Sequence, residues 1–204
     1  MKALLDSCVA RLSADLRRFP WENADMYGDW LAQTYYYVRH STRLLAAAAA
    51  RFAHDGLGDR LHLRFSAHMN EEKRHELLAV RDLEGLGRSL ASFSERAATR
   101  CLYEPQYYKV EHVEPMALFG YILALEAMSA TAGPSVLTAV RAAHAQPCTH
   151  FLRVHAEDDV EHVEKAFAVL DRVGPTARQH VEENLTQTTF AYLAMLDAIK
   201  GNWA

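Results

Sequence analysis

The stretch His155-Ala-Glu-Asp-Asp159-Val-Glu-His162 sets three metal-competent side chains four and then three residues apart in a segment of helical periodicity. At ~100° per residue they project within a roughly 60° arc, so they could close on one ion. Phe151, Leu152, Val154, Val163, Phe167 and Leu170 form an apolar stripe in the same segment, and His155, Asp159 and His162 lie beside it. Two histidines and a carboxylate turned inward without a partner carry a large desolvation penalty, which a bound divalent cation removes. The competing reading is a solvated charged surface, since Glu157, Asp158, Glu161 and Glu164 surround the candidates.

Outward from this stretch almost every segment shows helical rather than alternating periodicity. Ala, Leu, Arg and Glu are abundant and there are only nine glycines, which predicts an all-α protein with no strand. The pattern predicts a first helix over 4–18, ended by Phe19-Pro20, and a long second one over 24–54, ended at Gly56 to Gly58. The next is expected from Gly58 without interruption to Gly85-Leu-Gly87. Residues 101–109, with Pro105 and several tyrosines, read as an irregular loop or lid. Helices are then expected over 115–132, from Gly133-Pro134, from Pro147, and from Gly174-Pro175 to about Lys200.

Two further features fall into this frame. Glu71-Glu72-Lys-Arg-His75 places both carboxylates one helical turn from a histidine, and Glu126 stands alone within Tyr121-Ile-Leu-Ala-Leu-Glu126-Ala-Met. A glutamate in such surroundings needs a charge or a proton, and an arginine could supply it as well as a metal. Glu72 ranks first as partner of His75, Glu71 second, and His68, seven residues before His75 on nearly the same line, third. Together the candidates offer three imidazoles and three carboxylates, Glu72, His75, Glu126, His155, Asp159 and His162. That mixture suits non-haem iron or manganese better than a structural zinc. Tyr36, Tyr37, Arg39 and His40, with Tyr107, Tyr108 and Lys109, are polar groups that could meet an acidic or amino-acid substrate; packing with satisfied hydroxyls is the alternative.

Composition narrows the function classes. A chain of 204 residues, 50% hydrophobic, is long enough for one substantial core, and we expect a single domain over 1–204. With 22 basic and 26 acidic side chains and no basic block, nucleic acid and membrane are poor partners. Cys8, Cys101 and Cys148 are odd in number and far apart, which argues against a disulfide framework and for a reducing cytoplasm. The N-terminus turns polar before a signal-peptide core can form, and no run of about 18 apolar residues follows. A homodimer is compatible with the many apolar helices.

In chain order, Glu72 and His75, then Glu126, then His155, Asp159 and His162 resemble the pattern of the haem-oxygenase-like di-iron oxidases and oxygenases, the iron-containing redox enzymes. The segment from Glu71 to Asp82-Leu-Glu-Gly-Leu-Gly87 and the run Tyr35-Tyr-Tyr-Val-Arg39-His40 are also similar to that family. The resemblance covers most of the chain and implies a bundle of about seven to eight helices. It implies two Fe(II) ions, with manganese possible at one position, and dioxygen as co-substrate. One ion would be held by Glu72, His75 and His155, the other by Asp159 and His162, with Glu126 between or beside them. The reaction would oxidise a small substrate, amino-acid-like or fatty-acid-like, with Tyr37, Arg39 and His40 as candidate catalytic groups. In some members the first glutamate stands seven residues before the histidine, where this chain has His68. Metal-free relatives, thiaminase-like hydrolases and the synthase of pyrroloquinoline quinone, are the rivals within the fold, and a non-catalytic metal-binding helical protein is the rival outside enzymology. A thiaminase needs a cysteine nucleophile, and none of the three cysteines has a convincing local setting.

Overall fold

In the computed structural model, residues 1–145, 147–156, 166, 169–170 and 172–201 are described. Asp159 and His162 lie outside them. The described residues form helices joined by turns and contain no strand: α1 Lys2–Arg18, α2 Ala24–Val38, α3 Ser41–Ala49, α4 Gly58–Glu71, α5 Glu76–Gly85, α6 Ala97–His112, α7 Leu118–Ala143 and α8 Pro175–Ile199. Residues 150–156 are helical as well. The all-α expectation therefore holds.

The apolar α7 is the axis of the bundle. It packs on α1 and α8, while α2 lies against α5, α3 against α4, and α6 against α8. By length and composition the segment Pro115–Ala143 could cross a membrane, but 78% of its most apolar window is buried against the other helices. Gly120 explains one close approach. A Cβ there would sit 2.2 Å from Val181 O and 2.5 Å from Leu185 N, so α7 and α8 meet backbone to backbone. Asn184, fully buried in the same crossing, donates to Gln106 Oε1 and to Ala117 O, each at 2.7 Å, and ties α8 to α6 and to the start of α7.

Four expected boundaries differ from the structure. The predicted helix over 24–54 breaks at Arg39 and His40, where the last turn of α2 tightens and His40 N–H bonds Tyr37 O rather than Tyr36 O. The predicted helix over 58–85 breaks at 72–75, where Arg74 has φ 69°, a left-handed backbone that costs a non-glycine residue on the order of 1–2 kcal/mol. Residues 101–109 are part of α6 and not a loop. Pro105 removes one ladder bond, that to Cys101 O, and Cys101 is exposed, so water can serve the freed carbonyl. Finally α7 runs through Gly133-Pro134 without a break, because packing along its whole length outweighs one missing hydrogen bond.

Candidate metal centre

The break at 72–75 brings the first donors together. Glu72 closes α4 and His75 precedes α5, so the turn between the helices sets Glu72 Oε1 3.7 Å from His75 Nδ1. The segment 150–156 delivers His155 to the same place. Ligand atoms of Glu72, His75 and His155 all lie within 4.8 Å of one another, and the two imidazoles meet edge to face at 5.0 Å. Glu71 is exposed. His68, on α4, stands 3.7 Å from Glu72 Oε1 and 3.0 Å from Glu126 Oε1, joining the solitary glutamate of α7 to the cluster. Arg64 feels the charge of Glu126 too, with its guanidinium over the Phe119 ring.

Protonation favours metal binding at the three-residue group. Burial lowers the His155 imidazole below its ordinary range, so it is neutral near pH 7. Its Nδ1 lies 3.0 Å from Phe151 O, and a carbonyl only accepts; Nδ1 therefore carries the hydrogen and Nε2 keeps its lone pair. Burial opposes ionisation of Glu72, but the His68 imidazole 3.7 Å away and the nearby His155 and His75 hold its carboxyl below the usual range. The buried Nδ1 of His75 has no hydrogen-bond partner among the described residues. A carboxylate, a neutral imidazole with a free nitrogen and a second imidazole with an unused nitrogen fit a divalent cation.

Burial alone would lower the His68 imidazole, yet the neighbouring Glu126 and Glu72 carboxylates carry it up to about 10. A raised pKa stabilises the fold fully below the unfolded value and is lost as the pH passes the folded one. The thermal midpoint of metal-free wild type is thus expected to drop, relative to His68→Gln, as pH rises from 6.5 toward about 10. Parallel curves for the two proteins would exclude that contribution.

Glu72, His68, Glu126 and His155 line one end of a cavity of about 100 Å³ whose walls are apolar, including Trp30, Leu44, Leu118, Ile122, Val136 and Leu152. Tyr37 also lines it and is buried. Arg39 and His40 are not among the described lining residues. Arg39 lies over the rings of Tyr35 and Tyr36, and His40 stacks on Tyr103 at 3.9 Å with Nδ1 2.8 Å from Tyr107 OH. Tyr108 is exposed. Tyr121 was not singled out in the sequence, although it lines the cavity with a buried hydroxyl that has no hydrogen-bond partner among the described residues. Burial, with the Glu72 charge, pushes that phenol well above its ordinary range. Its signal was its place five residues before Glu126, on the same apolar helix.

Comparison with known proteins gives the fold and the family. A domain of unknown function with a heme oxygenase-like fold from Shewanella denitrificans superposes with a TM-score of 0.85 at 19% identity, over 99% of this chain and 92% of that one. A TenA homologue from Pseudomonas syringae pv. tomato gives 0.81 at 12% identity, over 98% and 92% of the two chains. A TenA homologue from Pyrococcus furiosus gives 0.69 at 15% identity, over 96% and 99%. These identities speak to the fold alone, which is heme oxygenase-like. No curated protein matches the sequence. The family model described as iron-containing redox enzyme matches residues 28–198. The chain accordingly belongs to the iron-containing redox enzyme family.

Proposed function

We propose that the protein is a non-haem di-iron oxidase or oxygenase that uses dioxygen to oxidise a small organic substrate. The observation that carries this reading is the meeting of Glu72, His75 and His155, with Glu72 and His155 also lining an apolar cavity. These three would hold one ion. Asp159 and His162, with Glu126 between or beside the ions, would hold the other. Iron supplies the one-electron redox chemistry toward dioxygen that this donor set by itself lacks, and manganese at one position would fit the same donors. The ionised Glu72 favours the oxidised metal, and His155 stays a neutral ligand because its Nδ1–H is committed to Phe151 O. The apolar walls exclude water from whatever reacts there.

The cavity also bears on the substrate. Its described lining contains two carboxylates and no lysine or arginine, and its raised imidazole, His68, is already engaged by Glu126 and Glu72, so the compact charged head of an amino acid would meet little there to compensate its desolvation. A molecule with an extended apolar body, such as a fatty-acyl chain, suits these walls better. A reducing cytoplasmic setting accompanies the reading, which the three free cysteines fit.

The metal-free alternative draws on the likeness to the TenA homologues. A thiaminase-like mechanism would need a cysteine facing the cavity. Cys8 and Cys148 are buried, Cys101 is exposed, and none of them lines it. Burial and the Asp82 charge also push the Cys148 thiol up to about 11, far from a ready thiolate.

Anaerobic titration of metal-stripped protein with Fe(II), followed by stopped-flow mixing with oxygenated buffer, tests the proposal. Uptake of about two ions per chain and a transient visible band are expected, with the band altered by a fatty acid more than by an amino acid. Absence of iron uptake and of oxygen consumption would turn the reading to the metal-free branch.

A further inference from the structure

We propose that Asp82 is a positioning residue for His155, acting through the backbone of Phe151. The inference rests on the metal-binding reading above. Asp82 is fully buried on α5. Its Oδ2 accepts the Phe151 N–H at 2.8 Å, and its Oδ1 accepts the His150 N–H at 2.9 Å and His150 Nδ1–H at 2.7 Å. Phe151 then passes the constraint on. Its carbonyl accepts from His155 Nδ1 at 3.0 Å, and its ring stacks on the imidazole at 4.0 Å with an interplanar angle of 26°. One residue therefore fixes the tautomer, the rotation and the height of His155, and Asp82 fixes that residue.

The geometry goes beyond ordinary helix capping. The first N–H groups of any helix need acceptors, and a negative charge at that end is favourable. A side chain adjacent in the chain could meet that need, and Thr149 precedes the segment. Here the acceptors come from a carboxylate 68 and 69 residues away, on the helix that begins next to His75. Remote capping adds registration of one segment against another, which local capping cannot supply. The α5 backbone lies close against the same segment, since a Cβ on Gly85 would sit 2.4 Å from Pro147 O. Tyr27 OH donates to Cys148 O at 2.6 Å from the α2 side. Helix α5 thus acts as a strut with Glu72 and His75 at one end and the anchor of His155 at the other. Outer partners of this kind typically alter metal affinity by 10–100-fold.

Cobalt(II) titration of the metal-stripped full-length protein, read by its visible ligand-field absorption and by thermal midpoint, tests this. Asp82→Asn keeps a carbonyl acceptor and the side-chain volume but loses the charge and one acceptor. It is expected to bind cobalt roughly 10–100-fold more weakly with a shifted spectrum, and Asp82→Ala more weakly still. Leu83→Ala serves as the control, because it removes a fully buried side chain from the same helix. It should lower the midpoint of the metal-free protein while keeping wild-type affinity and spectrum. Wild-type cobalt binding in Asp82→Asn, or an equal loss in Leu83→Ala, would overturn the positioning role while leaving the metal site standing. Wild-type protein that takes up no cobalt would overturn both.

Discussion

His155→Ala is expected to abolish iron-dependent oxygen consumption and to weaken binding at the described group by more than about 100-fold, beyond the loss usual for an outer partner. His155 is one of three side chains whose ligand atoms lie within 4.8 Å of one another, and it comes from a segment about 80 residues away in sequence from the other two. Its removal leaves only the Glu72–His75 pair from the intervening turn, so the ion loses the ligand that joins two parts of the bundle. The fold should survive. The side chain faces the cavity, alanine is a strong helix former, and burial of an imidazole costs rather than stabilises in the metal-free state. Circular dichroism should therefore show nearly unchanged helix content beside an iron titration that no longer saturates. Unaltered iron uptake with normal oxygen consumption would remove His155 from the ligand set.

Gly120→Ala is expected to produce a large loss of stability from a single methyl group. Its Cβ would fall 2.2 Å from Val181 O, 2.5 Å from Leu185 N and 3.0 Å from Asn184 C, all of them backbone atoms of α8 that no side-chain rotation can move. Helices α7 and α8 would have to separate, which loosens the Asn184 bonds to Gln106 and Ala117 and the packing around fully buried Leu185 and Tyr192. Alanine's better helix propensity returns at most about 1 kcal/mol. Overpacking on this scale costs about 3 kcal/mol or more, equivalent to a drop of roughly 6–12 °C in thermal midpoint for a chain of this size. A melting curve measures it directly. A midpoint within a degree of wild type would mean that the two helices do not cross at that distance.

The iron-containing family and the all-α fold were both legible in the chain itself. Helical periodicity is a local property, and it located α1 and α8 to within a few residues. The spacing of Glu72 and His75 also announced their partnership, though they meet across a turn and not along one helix. Local signals misled where a breaker residue was outweighed. Pro105 and Pro134 each remove one hydrogen bond, yet α6 and α7 continue because their apolar faces are buried along their full length. The opposite error occurred at 72–75, where good helix formers accommodate a left-handed Arg74.

Sequence alone determined which side chains could bind a metal and that a lone glutamate sat in apolar surroundings. The tertiary structure decided what they meet: that His155 reaches Glu72 and His75, that Glu126 pairs with His68, and that Arg39 and His40 stack on tyrosines away from the described cavity lining. It also decided that Asp82 caps the segment of His155 from a distant helix. The physical reason is the range of the information. Periodicity and propensity act over a few residues of backbone, whereas the separation between donors on different helices is set by how whole apolar surfaces interlock.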